Sequence, residues 1–593
     1  MKKTIISVSV ILTAVSLVFL FFNIDKRESE NFNRNRFFAP ETVVKDDYNE
    51  KIPGFKKIKY KDGDRIQVTP GIEGDKGILL SLRIVKNRGV RGRISIKILR
   101  KGNVVFKKSA EFNKKTFNFK LSKKFCFLKS DIFEISFSGS GEAIVRDPVF
   151  YSIIEPDERK YVFVIALDNL RYDRIGRVVN GVDLTPNLNG LKKDSVNFIN
   201  GYSQSSWTLP AFTSLFTGLY EFNHGITRES TLAGDIPLLT ENLSSKYVTI
   251  SLNGGAWLGP GITEHRGFDL FKLGSRAKDV DAAKKFFKNS IRFLEENEIP
   301  NLFMFMHTFS IHAPYFPPEK FLFEIENKPK YKFLKALTHN KQFKSDVPEE
   351  KKLGMELLYD ADVRAFDFYF GKFVEYLKRK NIYKRSTIVF LSDHGEEFFE
   401  HGGWFHGHSH YDEMIRIPII IKFPDNQYQG SEIKDLAGVI DILPTLGEFL
   451  GVDTKADTDG ISLMPLIKGG NLSGRVLISS TTKCQIGKRS PEIVAILKGK
   501  YKYLYNIDNV NRKGKKKVWE TILNRGKYEL YDLMADPGEL HNLWTKKPDL
   551  VGMFMKKLRE IMKKVKNNYN SGITKKTVFT ETDKEKLKTL GYL

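Results

Sequence analysis

The spacing of apolar and polar residues divides the chain into regions with different predicted structures. From about residue 50 to residue 155, apolar residues alternate with polar ones, as in residues 93–98 and 132–137. Alternation with a period of two, interrupted by Gly/Ser turns such as residues 138–141, is typical of strands with one buried face. The pattern predicts an antiparallel β-sandwich over residues 50–155.

After Pro156 the pattern changes to continuous apolar runs separated by helical stretches. Residues 161–167, 247–252, 302–306, 387–391 and 417–423 are predicted as buried strands, and helical periodicity covers residues 279–297 and 353–380. Buried strands separated by helices predict an α/β domain whose mostly parallel sheet is flanked by helices. We assign this domain to residues 156–470, and a small C-terminal α+β subdomain with a helix near 548–566 to residues 471–593.

An uncharged, mostly apolar run lies near the N-terminus, at residues 5–22, between Lys2–Lys3 and Asp25. It is longer than a signal-peptide core of about 7–15 residues and close to the ~20 residues that cross a bilayer. We therefore expect residues 1–27 to be an uncleaved signal anchor and transmembrane helix, with a cleaved signal peptide as the alternative. Residues 28–49 are polar and are predicted as a stalk.

The chain has 96 basic and 71 acidic residues, a net charge of +25. Such a surplus attracts anionic partners, which include nucleic acid, a membrane surface, and sulfated or phosphorylated substrates. A lysine-rich surface without a specific role is the plain alternative. Because no basic stretch is interleaved with aromatic residues, we expect no nucleic-acid binding. The two cysteines, Cys126 and Cys484, exclude a disulfide framework and a cysteine-based zinc site.

Polar residues follow the predicted strands of the α/β domain. Asp168 follows the first strand, Asn253 the second, His307 the third, and Asp393 with His394 the fourth. The carboxyl ends of parallel strands meet at one edge of a sheet, where α/β proteins bind their ligands. Asp and His are ligands for Mg²⁺, Ca²⁺, Mn²⁺ or Zn²⁺. Each acid alone could instead cap a turn or a helix.

A short predicted helix begins near Thr208, with Pro210 in its first turn and Gly218 after its last apolar residue. Thr208 is either an ordinary N-cap, whose hydroxyl accepts a backbone N–H, or a nucleophile aimed at a cation. In the second case the helix N-terminus and the cation would both stabilise the alkoxide. Spacing alone favours the N-cap.

Several motifs follow one another in the order found in a known family. They are residues 164–173, 185–188, 198–202, Thr208 to Gly225, 306–315, 392–396, 401–418, 528–533, 536–537, 542–543 and the closing 590–593. In this order they resemble the sulfatase family of the alkaline phosphatase superfamily, over residues 158–593. The resemblance implies an alkaline-phosphatase-like core and an exported, metal-dependent hydrolase of anionic esters. With the predicted anchor, it places the catalytic domain outside the cytoplasm, in the periplasm or at the cell surface.

The resemblance also implies roles for individual residues. The metal ligands would be Asp168, Asn169, Thr208, Asp393 and His394, and the catalytic residues Thr208, His312 and His406. Weaker candidates for substrate contact are His307, His401 and His408. Asn169 stands where many relatives have a second Asp, and His394 where calcium-dependent sulfatases have Asn. We therefore favour Mn²⁺ or Zn²⁺, with Ca²⁺ and Mg²⁺ left open.

Two positions depart from the family pattern. Sulfatases carry Cys or Ser, oxidised to formylglycine, where this chain has Thr208, and Arg where it has Phe212. Threonine cannot become an aldehyde, so a sulfated Thr208 could not release sulfate by collapse to the carbonyl. A phosphorylated threonine can be attacked in line at phosphorus. This favours phosphodiester or phosphonate hydrolysis, or phosphoryl transfer, on a lipid or envelope-glycan substrate. The alternatives are a true sulfuric ester hydrolase, a non-catalytic descendant that binds anionic glycans or lipids, and, from charge alone, a secreted nuclease.

Overall fold

The computed structural model describes residues 5–7, 35–36, 55–152, 158–570 and 575–576, with gaps at 62, 64, 69–73, 86–91, 113–115, 147–148, 227–229, 233–235, 245, 255–257, 259–265, 274–279, 298, 300, 327–346, 455–456, 473, 482–491 and 507–525. The chain forms two compact units. One contains Met1–Arg159, Ser244–Val248 and Leu294–Leu302, and the other contains Lys160–Leu243, Thr249–Phe293 and Phe303–Leu593.

The first unit contains two β-sheets. One has the strand order Ile5–Ser7, Arg65–Val68, Ile132–Ser138, Gly92–Arg100, Asn103–Phe112. The other has the order Asn35–Arg36, Val149–Ser152, Gly74–Val85, Gly141–Arg146, Phe55–Tyr60, with Thr116–Phe127 also paired to Gly74–Val85. Apart from the parallel pair formed by Ile5–Ser7, the pairings in both sheets are antiparallel.

The inward faces of these two sheets share one apolar core. Ile94, Ile96 and Phe133 come from the first sheet, and Ile78 and Phe127 from the second. The alternation in the sequence therefore places every second side chain in a common interior. The predicted antiparallel β-sandwich is confirmed.

The predicted N-terminal membrane helix is not supported by the described residues. Ile5–Ser7 forms a short strand beside Arg65–Val68, so the helix prediction is wrong for these three residues. Residues 8–22 lie outside the described part of the chain, as do the stalk apart from residues 35–36, Cys484 and the motif at 590–593. Among the described residues, no helix combines the length and the apolar character that crossing a bilayer requires.

The second unit is organised around an eight-stranded mixed sheet. Its order is Leu270–Leu273, Val248–Asn253, Leu302–Thr308, Tyr161–Leu167, Ser386–Leu391, Ile419–Lys422, Val196–Tyr202, Ser431–Gly438. Tyr161–Leu167 runs parallel to Ser386–Leu391, Val196–Tyr202 to Ser431–Gly438, and Val248–Asn253 to Leu270–Leu273. Ile419–Lys422 is antiparallel to both of its neighbours, Ser386–Leu391 and Val196–Tyr202. The predicted α/β fold with a mostly parallel sheet is confirmed.

The helices of this unit are Pro186–Lys193, Thr208–Thr217, Glu221–His224, Leu239–Leu243, Ala282–Glu296, Glu319–Ile325, Glu349–Arg379, Asp412–Ile415, Ile442–Leu450, Met464–Ile467 and Pro548–Asn570. In the longest, Phe366, Phe370 and Phe373 recur at helical spacing and pack on Phe287 of Ala282–Glu296. This apolar stripe is what the period of 3.6 in the sequence indicated.

The C-terminal part forms a four-stranded antiparallel sheet with the order Val476–Ser480, Ile493–Lys498, Tyr501–Asn506, Tyr528–Asp532. Phe554, Leu558 and Ile561 of the last helix share an apolar core with Val494 and Tyr503 of this sheet. Small pairs join Val178–Val179 to Val182–Asp183, Ser230–Thr231 to Lys575–Lys576, and Glu397–Phe398 to Trp404–Phe405.

Candidate active site

Asp168, Asp393 and His394 meet at the carboxyl edge of the central sheet, and all three are fully buried. Asp168 comes directly after Tyr161–Leu167, and Asp393 and His394 come just after the adjacent strand Ser386–Leu391. One potential ligand atom from each lies within 4.8 Å of the others. The Nε2 atom of His394 is 3.4 Å from Asp393 Oδ2 and 3.9 Å from Asp168 Oδ1.

Each of these side chains keeps one atom available for a cation. Asp393 Oδ1 accepts the backbone N–H groups of Asn169, at 3.1 Å, and His394, at 3.0 Å, while Oδ2 has no hydrogen-bond partner. Asp168 Oδ1 is likewise buried without a partner. His394 donates Nδ1–H to the Gly395 carbonyl at 2.8 Å, which leaves Nε2 as the lone-pair nitrogen. Buried carboxylate oxygens without partners are costly, so this donor set fits a divalent cation.

The pKa shifts of Asp168 and His394 reflect the close approach of three ionisable groups. Burial raises the pKa of Asp168 well above its ordinary value, and repulsion from Asp393 adds to this, while His394 partly opposes it. Burial lowers the pKa of His394, but the Asp393 and Asp168 carboxylates outweigh this, and the net pKa is raised. A divalent cation held by these residues would favour the deprotonated form of both groups.

Thr208 is the first residue of the helix Thr208–Thr217, and Trp207 occupies the N-cap position. This corrects the N-cap assignment of Thr208 by one residue. The Thr208 hydroxyl faces the cluster, and its Oγ1 lies 3.3 Å from both Asp168 Oδ2 and His394 Nε2. The hydroxyl is thus directed at the carboxylate–imidazole cluster, at the positive end of the helix dipole.

His307 also contacts this cluster. It lies inside the strand Leu302–Thr308, and its Nε2 is 3.0 Å from Asp168 Oδ2. Its ring packs edge to face against Phe212, at 4.9 Å between centroids, and Phe309, at 4.6 Å. Burial lowers the pKa of His307 to about 4, so it is a neutral donor to Asp168. His307, a candidate for substrate contact, therefore contacts Asp168, a candidate metal ligand. Phe212 packs on the His307 ring.

His312 and His406 lie beside the cluster. Their ring centroids are 5.1 Å apart, and that of His406 is 4.4 Å from that of His394. His312 Nδ1 donates to the Ala313 carbonyl at 2.6 Å, and burial, followed by repulsion from His406, lowers its pKa to about 3. Burial also lowers the pKa of His406 well below its ordinary value. His406 therefore lies next to His394, and His312 lies next to His406.

His401 and His408 take part in other contacts. His401 Nδ1 is 2.7 Å from Glu413 Oε1, and its ring stacks on Tyr411 at 3.6 Å between centroids. His408 Nε2 is 2.7 Å from Glu397 Oε2. These contacts stabilise residues 397–413, the segment that carries His406.

The candidate residues inferred from the sequence did not include Glu396 and Tyr315. The buried Glu396 carboxylate contacts Asn169 Nδ2, accepts the Tyr315 hydroxyl at 2.9 Å, and lies 3.0 Å from His406 Nδ1. Both residues stand within motifs already singled out, residues 392–396 and 306–315. Their position within these motifs could have suggested that they belong to the site, but it did not indicate what they do.

Comparisons with known proteins agree with this arrangement. The sulfatase family profile matches residues 160–452. The choline-sulfatase of Rhizobium meliloti is 28% identical over 201 residues, which cover 33% of this chain and 35% of that protein. The ulvan-active sulfatase of Formosa agariphila is 25% identical over 424 residues, which cover 68% of this chain and 78% of that protein. The alignment with the choline-sulfatase thus spans about a third of that relative's length.

Solved structures show the same fold. BT4656, in complex with its substrate D-glucosamine-2-N,6-O-disulfate, matches with a TM-score of 0.56 at 20% identity, over 69% of this chain and 99% of that chain. The phosphonate monoester hydrolase of Agrobacterium radiobacter matches with a TM-score of 0.55 at 19% identity, over 69% of this chain and 96% of that chain. At these identities the likeness concerns the fold.

Fold and site together define an α/β domain with a mostly parallel sheet and a buried carboxylate–imidazole cluster at the carboxyl edge of that sheet. Within this class, residues 160–452 form a sulfatase-family domain.

Proposed function

We propose that this chain is a metal-dependent enzyme that uses Thr208 as nucleophile on an anionic phosphoric or phosphonic ester, by hydrolysis or by transfer to an alcohol. The observation that carries this proposal is the position of Thr208 Oγ1, 3.3 Å from Asp168 Oδ2 and from His394 Nε2. A hydroxyl that served only as a helix cap would instead accept a backbone N–H.

The proposed cation site consists of Asp168, Asn169, Asp393 and His394, with Thr208 Oγ1 as the reacting ligand. A divalent cation held there would supply positive charge for the alkoxide and for the oxygens of the ester. The imidazole of His394 favours Mn²⁺ or Zn²⁺ over Ca²⁺ and Mg²⁺.

The reaction is proposed to proceed in two displacements. Thr208 Oγ1 forms a bond to phosphorus while the bond to the leaving alcohol breaks, and the hydroxyl proton passes to Asp168 Oδ2. His406 or His312 gives a proton to the leaving oxygen. Burial favours the neutral imidazoles, but the negative charge of a bound ester favours the protonated ring. Water or an acceptor alcohol then attacks the phosphothreonine, giving its proton to the same imidazole. The bond from phosphorus to Oγ1 breaks, and Oγ1 takes its proton back from Asp168.

Phosphoryl chemistry is preferred because of the nucleophile itself. Thr208 carries a methyl group on Cβ and cannot form the aldehyde hydrate from which sulfate is eliminated. The names of several relatives nevertheless favour the alternative, sulfuric ester hydrolysis. A substrate comparison separates the two, because they predict opposite preferences for the same aryl leaving group.

The substrate and the location of the enzyme belong to the proposal as well. Relatives named N-acetylglucosamine-6-O-sulfatase and Delta 4,5-hexuronate-2-O-sulfatase favour an anionic glycan, and a lipid headgroup fits the same chemistry. The apolar run at residues 5–22 supports export and a membrane anchor with the catalytic domain outside the cytoplasm. The net charge of +25 would favour association with anionic envelope polymers.

The experiment measures turnover of an aryl sulfate, an aryl phosphate, an aryl phosphodiester and an aryl phosphonate that share one leaving group. Each substrate is tested with Mn²⁺, Zn²⁺, Ca²⁺ and Mg²⁺, with wild type and with Thr208→Ala. We expect diester or phosphonate turnover with Mn²⁺ or Zn²⁺, and its loss in the variant. Sulfate turnover exceeding the other three and depending on Thr208 would instead establish a sulfuric ester hydrolase.

The non-catalytic alternative predicts a different result. A binding-only descendant would show turnover of none of the four esters above the level of Thr208→Ala, whatever cation is supplied. Stoichiometric metal in the purified wild type, measured by atomic emission, would count against that alternative, because a binding protein need not retain a cation at Thr208.

A further inference from the structure

Glu396 lies at the centre of a buried group of hydrogen bonds beside the candidate cation ligands. Its side chain is fully buried. One carboxylate oxygen contacts Asn169 Nδ2 and accepts the Tyr315 hydroxyl at 2.9 Å, while the other lies 3.0 Å from His406 Nδ1. These three partners are hydrogen-bond donors, which is what a buried carboxylate requires.

Asn169 is held by three of its four polar groups. Its backbone N–H donates to Asp393 Oδ1 at 3.1 Å, its carbonyl accepts the Tyr359 hydroxyl at 2.8 Å, and its Nδ2 contacts Glu396. Only its side-chain oxygen, Oδ1, is buried without a hydrogen-bond partner. The backbone has a φ of 72°, a left-handed conformation that asparagine tolerates better than most residues.

The contact with Glu396 determines which end of the Asn169 amide faces which neighbour. A carboxylate can only accept hydrogen bonds, so the NH₂ group must lie on the Glu396 side. The oxygen is then directed away from Glu396, and it is the end of the amide that could bind a cation. If the amide were rotated by half a turn, two oxygens would face each other and the NH₂ group would replace the ligand oxygen.

We propose that Glu396 is a positioning residue that orients the Asn169 amide with its oxygen available to the cation, and that places a negative charge behind this neutral ligand. This inference rests on the proposed cation site at Asp168, Asp393 and His394. A residue that orients a metal ligand through a hydrogen bond typically contributes about 10- to 100-fold to metal affinity.

The test is a double-mutant cycle of Mn²⁺ affinity, measured by titration calorimetry on wild type, Glu396→Gln, Asn169→Asp and the double variant. In Glu396→Gln, one of the two acceptor oxygens becomes an NH₂ group, so the side chain loses its negative charge and cannot accept from Asn169, Tyr315 and His406 together. We expect affinity to fall about 10- to 100-fold. In Asn169→Asp, two carboxylates face each other across the same contact. In the double variant, the introduced glutamine donates to the introduced aspartate, and the hydrogen bond is restored with reversed polarity.

The expected result is a coupling of at least about tenfold, in which the double variant binds Mn²⁺ more tightly than the two single variants would predict. If Glu396 only fills space, Asn169→Asp strengthens binding through its added charge, Glu396→Gln changes nothing, and the two effects multiply without coupling. That outcome overturns the inference. Should Glu396→Gln alone fail to fold, the double variant is compared with Asn169→Asp: tighter Mn²⁺ binding by the double variant supports the contact, and equal or weaker binding overturns the inference.

Two controls make the result specific. Tyr315→Phe removes the other donor to the same Glu396 oxygen without touching Asn169, and we expect Mn²⁺ affinity to stay within about threefold of wild type. Wild type itself separates the two proposals. If it binds none of Mn²⁺, Zn²⁺, Ca²⁺ and Mg²⁺, the proposed function fails, whereas binding without coupling contradicts only the role of Glu396.

Discussion

Thr208 Oγ1 lies 3.3 Å from His394 Nε2, although the two residues are 186 positions apart in the sequence. The contact joins the first turn of the helix Thr208–Thr217 to the segment after the strand Ser386–Leu391. It brings a hydroxyl to the lone-pair nitrogen of an imidazole whose other nitrogen donates to the Gly395 carbonyl. The fold itself therefore brings the proposed nucleophile next to a proposed cation ligand.

Replacing Thr208 tests this arrangement directly. We expect Thr208→Val, which keeps the shape but loses the hydroxyl, to reduce turnover at least about a thousandfold, because no other group replaces the nucleophile. Mn²⁺ binding should persist, since Asp168, Asp393 and His394 are unchanged. Steady-state kinetics and calorimetry measure the two effects separately. Thr208→Ser, which retains a hydroxyl, is the control, and equal turnover in both variants would exclude Thr208 as nucleophile.

Cation binding should stabilise the fold as well as support catalysis. After chelation, added Mn²⁺ or Zn²⁺ should raise the thermal midpoint, because a cation at 100 times its Kd contributes about 2.7 kcal/mol to a state that binds it. Asp393→Asn should abolish the shift. Asp425 is exposed, and its side chain contacts Lys384. The control variant Asp425→Asn should therefore show the same rise of the thermal midpoint as wild type. A shift of the same size in both variants would show that the cation binds elsewhere.

The sequence predicted those features of the fold that depend on the residues of a single segment. Asp168 and Asp393 could be placed at one sheet edge because each follows a continuous apolar strand, and parallel strands end together. The strand Ser431–Gly438 was missed because it is partly exposed and lacks an apolar run. The antiparallel direction of Ile419–Lys422 is a property of its neighbours, which its apolar residues do not encode.

The contacts that orient the site were beyond prediction for a different reason. Glu396 meets Asn169 across 227 positions, and only the folded chain determines which donors surround its carboxylate. His401 shows the same limit. Its place in a family motif suggested a substrate contact, which stays a prediction, while the motif did not show that its ring stacks on Tyr411 or that Nδ1 contacts Glu413. A motif indicates which segment of the chain belongs to the site. The role of each residue in that segment depends on its neighbours in the folded structure.

The buried His224 should make stability depend on pH. Its Nδ1 accepts the backbone N–H of Ile226 at 3.2 Å, and burial lowers its pKa to about 3. Because the folded pKa lies below the unfolded value of about 6.5, the neutral ring favours the fold above that pH. This contribution is lost as pH falls, by about 1.4 kcal/mol per unit, or about 2 kcal/mol between pH 6.5 and 5.

The variant His224→Asn isolates this contribution. Asparagine can accept the same backbone N–H but cannot be protonated, while every other titrating group is shared with wild type. Urea unfolding at pH 7 and pH 5 should therefore show a loss that is about 2 kcal/mol smaller in the variant. Identical losses in the two proteins would mean that His224 is not a buried neutral ring.

Lys502 should be critical for the C-terminal part of the second unit. Its buried ammonium group lies 2.8 Å from Asp412 Oδ1 and 2.7 Å from Glu539 Oε2. We expect Lys502→Met to cost about 3–5 kcal/mol, because the buried Glu539 carboxylate loses its cation and Asp412 keeps only the Arg416 guanidinium, 3.6 Å away. Lys500→Met is the matched control, since Lys500 pairs with Asp532 but its side chain is 44% exposed. Its expected cost, measured by urea unfolding, is below about 1 kcal/mol.

Phe212 occupies the position where the sulfatase pattern has an arginine. Its surroundings indicate that an arginine introduced at this position would destabilise the fold. The ring is fully buried and packs edge to face on His307 and on Phe305. Phe212→Arg would put a guanidinium group among these rings without a charge partner, so we expect a loss of about 3 kcal/mol or more in urea unfolding. Phe212→Leu, which remains apolar, should cost about 1 kcal/mol. The opposite result would be that Phe212→Arg is as stable as Phe212→Leu and binds inorganic sulfate more tightly than wild type. Position 212 would then belong to the substrate pocket, and the contact with His307 would not explain the phenylalanine.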